Sequence, residues 1–391
     1  MRGRPTRQPN LFVSINLETL VPADHPLRPI KRMADEALAA MTRTFTAAYS
    51  DVGRPSIPPE RLLKALLLMS LYTLRSERAL CERIAFDMLF RWFLDMTPDQ
   101  TPFDHSDFSK NRARLEALDI TGKFKDRIVR AAFDAGLLSG DHFSIDGSLL
   151  QSHASLKSLK HIEEIRRAAE ERGGKDGKDG PGDGGTAAHA DSNPWVDFKG
   201  QKRSNKTHRS LTDPQARLYT KSTGVAYLQH SMHALMENRH GLGVDIRVGA
   251  ADGHAERACA LKMLDRVKRR LGLDPATLGA DKGYDAGDFL LALEDRGITP
   301  HIACKGRKRI ALPRVHDAGG WARWFNQRRS RNKGFKVSQR KRKLNEEIFG
   351  WLKQFGGLRR ARVTGRWKIQ QYADLALSAL NLIRMRSLLA R

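Results

Sequence analysis

Cysteine is scarce in this chain: Cys81, Cys259 and Cys304 are the three thiols among 391 residues. They stand far apart, with no CxxC spacing and no even number to pair, so a disulfide framework is excluded. They read as buried thiols of a reducing compartment. Long apolar runs are missing too. The longest, "LLKALLLMSLYTL" from Leu62 to Leu74, contains Lys64 and is too short to cross a bilayer. The amino terminus "MRGRPTRQPN" is basic with no apolar segment directly behind it, so no signal peptide is expected. A cytoplasmic, nucleoid-associated protein with no membrane partner follows as the expectation. Negative charge is in short supply as well: 44 Asp and Glu face 69 Lys and Arg, a formal charge of +25. Because the cations are spread along the whole chain, a broad polyanion-binding face is indicated, and nucleic acid is the first partner to test. No internal repeat is evident.

What is present divides the chain. From about Pro26 to Leu138 apolar residues recur at three- and four-residue steps, as in "PPERLLKALLLMSLYTL" and "TGKFKDRIVRAAFDAGLL", which predicts helices. Pro58 and Pro59 suit a helix start, and Ser76 suits the N-cap of "ERALCERIAFDMLFRWFL". After a Pro-containing break, "FSKNRARLEAL" places Lys110, Arg112 and Arg114 on a short helix, a pattern weakly like a helix-turn-helix. Near Gly140 the period changes to two: in "DHFSIDGSL", Phe143 and Ile145 face one way, Ser144 and Asp146 the other. A helix is expected from Leu156 to about Arg172. Behind it, Gly173 to roughly Asn193 contains a Gly/Asp/Lys tract that cannot bury enough apolar area to order itself. Strands and then alternating strand and helix follow, so the expected fold is α/β, a mixed sheet flanked by helices. The carboxyl end reads as an amphipathic helix.

Carboxylates are worth weighing singly in so basic a chain. Asp146 ends the first clear strand ahead of Gly147 and Ser148, where a turn-forming role competes with a ligand role. Asp281, in "GADKGYDAGDF", lies at the carboxyl end of a strand, where ligands gather in open sheets, but a helix cap would also explain it. Glu346 and Glu347 sit in the midst of "SQRKRKLNEEIFGWLKQFGGLRR", and each has a cation four residues earlier, Arg342 or Lys343, as surface ion pairs do. Offsets of minus four and plus seven put Arg342 and Lys353 on one helical face with Glu346. A few carboxylates from separate elements suffice to hold Mg²⁺, which prefers hard oxygen ligands. His230 and His233 lie three apart in a strand-like run, so they should point to opposite faces rather than share a metal. "LRRARVTGRWK" sets Arg359, Arg360, Arg362, Arg366 and Lys368 beside Trp367, a strip suited to phosphates and stacked bases.

The segments "IDGSLLQSHAS", "GADKGYD" and "SQRKRKLNEEIFGWLKQFGGLRR", in that order behind "RPSIPPERLLKALLLMSLYTLRSERALCERI" and "DHSDFSKNR", resemble the DDE transposases of bacterial insertion sequences, specifically the IS-five family. The resemblance covers nearly the whole chain outside the Gly-rich tract. It implies a ribonuclease-H-like catalytic domain preceded by an all-helical amino-terminal domain, with the first aspartate on the first strand, the second just after the fourth, and the glutamate on a later helix. By that resemblance Asp146, Asp281 and Glu346 are the catalytic, metal-binding residues, with Mg²⁺ as cofactor and Mn²⁺ as a substitute. The family spacing of arginine, glutamate and lysine is met by Arg342, Glu346 and Lys353 and fits Glu347 less well; the tyrosine that precedes them in the family is Gln339 here. The domains implied are 1–50, an arm and first helix; 51–138, a helical DNA-binding domain; and 139–391, the catalytic domain with the insertion at about 173–193. Lys110, Arg112, Arg342, Lys353, Arg359 and Arg360 are the expected DNA contacts. The partners implied are double-stranded DNA, both inverted-repeat ends and target, and a second copy of the chain in a homodimer on DNA.

Overall fold

A computed structural model describes residues 15–48, 56–172, 195–198, 200–220, 226–251, 255–306 and 310–390. The Gly-rich tract, 173–193, lies outside them.

Among the described residues eight helices come first: α1 (Leu17–Leu20), α2 (Leu27–Ala39), α3 (Thr42–Ala48), α4 (Pro59–Leu71), α5 (Glu77–Phe86), α6 (Met88–Phe93), α7 (His105–Ala117) and α8 (Ile120–Asp134). Their starts follow the chemistry of the sequence. Pro59 opens α4, where a missing N–H costs nothing. The Ser76 hydroxyl accepts from the Ala79 amide at 3.1 Å to cap α5. The single long helix expected after Ser76 is interrupted at Asp87, whose backbone is extended; its carboxylate accepts from the amides of Leu89 and Phe90 and begins α6. A local side-chain acceptor thus outcompetes helix continuation. Asp104 and Asp107 form a capping box on α7, which carries Lys110, Arg112 and Arg114.

The second half is built on β1 (His142–Gln151), β2 (Leu159–His161), α9 (Ile162–Arg172), β3 (Trp195–Phe198), β4 (Gln201–Ser204), β5 (His208–Ser210), β6 (Arg217–Tyr219), β7 (Tyr227–Glu237), β8 (Gly243–Ala250), α10 (Ala255–Leu271), β9 (Thr277–Ala280), α11 (Gly287–Glu294), β10 (Thr299–Ile302), α12 (Ala318–Arg329), α13 (Lys333–Lys341), α14 (Leu344–Gln354) and α15 (Arg366–Leu389). The run from Leu156 to Arg172 is not one helix: a 3₁₀ turn and β2, paired with β5, precede α9. In the main sheet β1 is central. It runs parallel to β9, and β9 to β10, on one side. On the other side β7 is antiparallel to β1, with β8 and the short β6 along its far edge.

Period-two patterning sends the two faces of β1 to different cores. Phe143 and Ile145 join Leu235, Val244, α10, α11 and the amino-terminal helices in one cluster. Leu150, Met232, Ala234 and Ile246 meet Ile348, Phe349 and Leu352 of α14, and α15, in another. The last helix is not amphipathic in effect: Ala373 through Leu382 are all buried. It lies between α4 and α8 on one side and β8 on the other, so even its polar residues turn inward. Asn381, for example, exchanges hydrogen bonds with both backbone groups of Gly243 at 2.9 and 2.7 Å. The first core therefore runs without a gap across the junction near residue 139. Buried charge crosses it too: Lys125 of α8 pairs with Asp245 of β8, which Arg266 of α10 also grips.

Candidate active site

Asp146 is the fifth residue of β1 and projects from the face that α13 and α14 cover. Its Oδ1 accepts from the Gly147 amide at 2.8 Å, and its Oδ2 lies 3.6 Å from Arg342 Nη1, with both side chains about one-fifth exposed. One strand repeat further, Ser148 Oγ accepts from Lys353 Nζ at 2.7 Å. Both expected phosphate cations thus reach the same face of the same strand, 11 residues apart in sequence, one at each side of Glu346.

The helix that carries them is not continuous. Arg342 and Lys343 link α13 to α14 in αR conformation, held by three-residue hydrogen bonds from Lys343 to Arg340, Asn345 to Arg342 and Glu346 to Lys343. Two tightened turns thereby replace the regular helix on which the minus-four offset rested. Gln339 fixes the approach of α13: its amide donates to the carbonyls of Ala280 at 3.1 Å and His301 at 2.5 Å. Ser338 adds a hydroxyl contact to His301 Nδ1 at 2.8 Å. Burial, then His142 and Arg329, depress that imidazole's pKa to about 4, so it is neutral near pH 7.

Asp281 directly follows β9, and its side chain accepts from the Gly283 amide at 2.8 Å to start a 3₁₀ turn. Asp281 thus stands at a strand end and caps the turn that follows. Glu346 is exposed in the first turn of α14. Glu347 pairs with Arg384 of α15 at 3.6 Å, not with Lys343, because Lys343 is in the link and α15 packs against α14.

The donor set of Asp146, Asp281 and Glu346 is all carboxylate, suited to a hard divalent cation. Several buried polar atoms nearby have no hydrogen-bond partner among the described residues: Arg342 Nε, both amide atoms of Asn345 beside Glu346, and the Tyr284 hydroxyl three residues after Asp281. Buried polar groups are seldom left so, and bound waters would complete them. Even so, among the described residues no three His, Cys, Asp or Glu side chains converge closely enough to hold a metal.

A groove of about 880 Å³ adjoins this site, lined by Arg75 from the helical half and by His153, Lys353, Phe355, Arg359, Arg360 and Arg362. Arg359 and Arg360 are held there because their backbone runs beside Gln151 at the end of β1, and Arg360 Nη2 donates to the His153 carbonyl at 3.2 Å. The basic strip expected from Arg359 to Lys368 is divided: Arg366 and Trp367 line a different hollow, with Arg247, Arg269 and Arg270. Lys110 is exposed on α7.

His230 and His233 face opposite ways, as strand geometry requires. His230 Nε2 meets Asp213 Oδ2 at 2.8 Å, which also accepts from Ser152 Oγ at 2.7 Å, all three residues fully buried. Burial would raise the Asp213 carboxyl, but these two partners hold it below its usual range. That network ties a loop to the end of β1. His254, in "ADGHAER", where the sequence suits a cap or turn, lies outside the described residues. Sequence reasoning named Arg362 in the basic strip but missed Arg75, Tyr284 and Glu256; of these only Glu256, an acid at a helix start just after a strand, left a visible signal.

Two family models match the chain: "Transposase domain (DUF772)" over residues 15–114 and "Transposase DDE domain" over residues 199–382. Asp281 and Glu346 fall within the second, and Asp146 between the two. No curated protein matches significantly. Two solved structures are loosely similar, both at 10% identity: a Mos1 transposase paired-end complex with left transposon end, with a TM-score of 0.19 covering 81% of this chain and 86% of that one, and a pre-cleavage Mos1 transpososome, with a TM-score of 0.20 covering 90% and 87%. Likeness that loose carries no argument. The two matches fall on successive parts of the chain: residues 15–114 are similar to a transposase domain and residues 199–382 to a transposase DDE domain.

Proposed function

We propose that the chain is a transposase of the IS-five family that binds the terminal inverted repeats of its own element, cleaves the DNA at their ends and joins the freed 3′-hydroxyls to target DNA. The observation that carries this reading is the pairing of Arg342 with Asp146 and of Lys353 with Ser148 on one face of β1. It draws the arginine and lysine that flank Glu346 to the strand that bears the first aspartate.

A ribonuclease-H-like catalytic half is supported by the placement of the acids. Asp146 is on the first strand of the main sheet, and with the short β6 set aside Asp281 follows the fourth. Asp146, Asp281 and Glu346 would hold Mg²⁺, which when bound stabilises charge in an in-line attack on a phosphodiester. The chain's own residues do the positioning. Arg342 and Lys353 hold backbone phosphates at the site as charge-assisted donors. Gln339 anchors α13 on the ends of β9 and β10, which fixes the start of the segment that carries Glu346 against the strand that Asp281 follows. Arg75, Arg359, Arg360 and Arg362 extend the cationic track away from the site, and Lys110 and Arg112 on α7 supply further contacts. Two ends must be processed together, which calls for a homodimer on DNA.

Cleavage of a labelled duplex carrying the element's own end, in Mg²⁺ or in EDTA, tests this. Wild type should nick in Mg²⁺ alone, and Asp146→Asn and Glu346→Gln should bind the end without nicking, while Glu347→Gln nicks normally. Equal loss in both glutamate variants would undo the assignment of Glu346, and a wild type that binds ends but never nicks would leave only a DNA-binding descendant. Strand transfer from pre-cleaved ends separates a transposase from a nuclease with the same carboxylates.

A further inference from the structure

Glu256 opens α10, which begins after β8 and lies over the face of β1 opposite to α14. The point where it meets β1 is Gly147. A Cβ placed on that glycine would lie 3.1 Å from His233 Nδ1 and 3.4 Å from Glu256 Oε1; His233 is the cross-strand partner of Gly147 on β7. The same glycine gives its amide to Asp146 Oδ1 at 2.8 Å. Two carboxylates from opposite faces of the sheet therefore close on one residue, where an added Cβ would press on His233 and touch Glu256.

A separate observation points to something bound between them. The Tyr284 hydroxyl is buried, with the residue 1% exposed, and has no hydrogen-bond partner among the described residues. Besides burial, the groups that push its pKa well up are Glu256 first, then Asp146 and Asp281. A buried phenol normally donates to something, and here it sits in the field of three carboxylates without a partner to receive its proton.

Resting on the catalytic reading above, we propose that Glu256 is a fourth carboxylate of the active centre, which helps hold the divalent cation of Asp146 from the other face of the sheet. The Tyr284 hydroxyl then donates to a water of that cation. The competing role is purely local: an acid in the first turn of a helix is favourable on its own account, and such a residue would be indifferent to metal.

Mn²⁺ titration of the full-length protein, followed by electron paramagnetic resonance, distinguishes the two without reference to activity. Glu256→Gln keeps size and hydrogen bonding but loses charge, and should weaken Mn²⁺ binding by about tenfold or more. Asp146→Asn should do the same, and Glu347→Gln, whose residue pairs with Arg384, should bind as wild type. If Glu256→Gln is unfolded by circular dichroism, Glu256→Asp decides: weakened Mn²⁺ binding in a folded Glu256→Asp protein supports the proposal, and wild-type binding overturns it. Loss in Asp146→Asn with wild-type binding in Glu256→Gln would overturn this proposal alone. Equal Mn²⁺ binding by wild type and Asp146→Asn would overturn the metal-centre reading and this proposal with it.

Discussion

Replacing Asp245 by Asn should be among the most destabilising single changes in this protein. Asp245 is fully buried on β8 and faces two cations, Lys125 from α8 and Arg266 from α10. Burial alone would raise its carboxyl, yet the two cations hold it below its usual range. Burial likewise works against the charge on Lys125, and Asp245 with Asp126 more than restores it. Asparagine keeps the shape and removes the anion, leaving two cations in the interior with Asp126 as the nearest compensation, 3.2 Å from Lys125 Nζ. Breaking a buried pair from one side costs about 3–5 kcal/mol, against a total stability of roughly 5–15 kcal/mol for a folded domain. With a urea slope of about 2–3 kcal/mol/M, the unfolding midpoint should fall by about 1–2 M. Removing the stranded cation as well, in Asp245→Asn with Lys125→Met, should recover part of the loss, so the two changes are non-additive. Urea unfolding followed by circular dichroism measures all four corners of the cycle. A midpoint for Asp245→Asn within error of wild type, or strict additivity, would refute the claim that this network clamps the helical half to the sheet.

The neighbouring Asp374 should behave in the opposite sense, because burial raises its pKa to about 7. The folded state then keeps a proton that the unfolded chain gives up near pH 4, so stability is favoured below that pH and lost as pH rises toward 7. Asp374→Asn should therefore be more stable than wild type at pH 8, by at most about 4 kcal/mol, with the gap closing toward pH 4; thermal melts across that range check it, and a pH-independent difference would contradict the sign. DNA affinity should fall steeply with salt, and Arg359→Ser and Arg360→Ser should each flatten the log–log slope by about one; anisotropy on a labelled duplex measures this, and unchanged slopes would remove the groove from the DNA path. Cys81 and Cys259, both pushed up to about 11 by burial, should resist alkylation at pH 8 in the folded protein and react at once in denaturant. Rapid labelling of the native state would show those sites to be open.

How much of this was readable beforehand depended on whether the deciding interaction was local. Ser76 and Pro59 act within one turn, so the starts of α4 and α5 were legible from the residues alone, as was the alternation that turns Phe143 and Asp146 to opposite faces. Asp87 acts just as locally, yet it lies inside an apolar periodicity that runs on through Phe93, and the pattern hides the cap. Glu347 was assigned to Lys343 because only helical neighbours are visible in a sequence; its partner Arg384 arrives from a helix 37 residues away. The carboxyl-terminal helix misled for a related reason. Its inward polar residues Asp374, Ser378 and Asn381 mark a polar stripe that would normally face water, but they answer Gly243, Gln370 and one another. Around the candidate site the same division holds. Asp146, Asp281 and Glu346 stood out through motif order, whereas Glu256 is defined by Gly147, 109 positions earlier in the chain. A glycine one residue after a strand-borne aspartate reads as a turn signal in one dimension. In three dimensions it is also where the Glu256 carboxylate comes within contact distance of the strand, and no periodicity in either segment records that encounter.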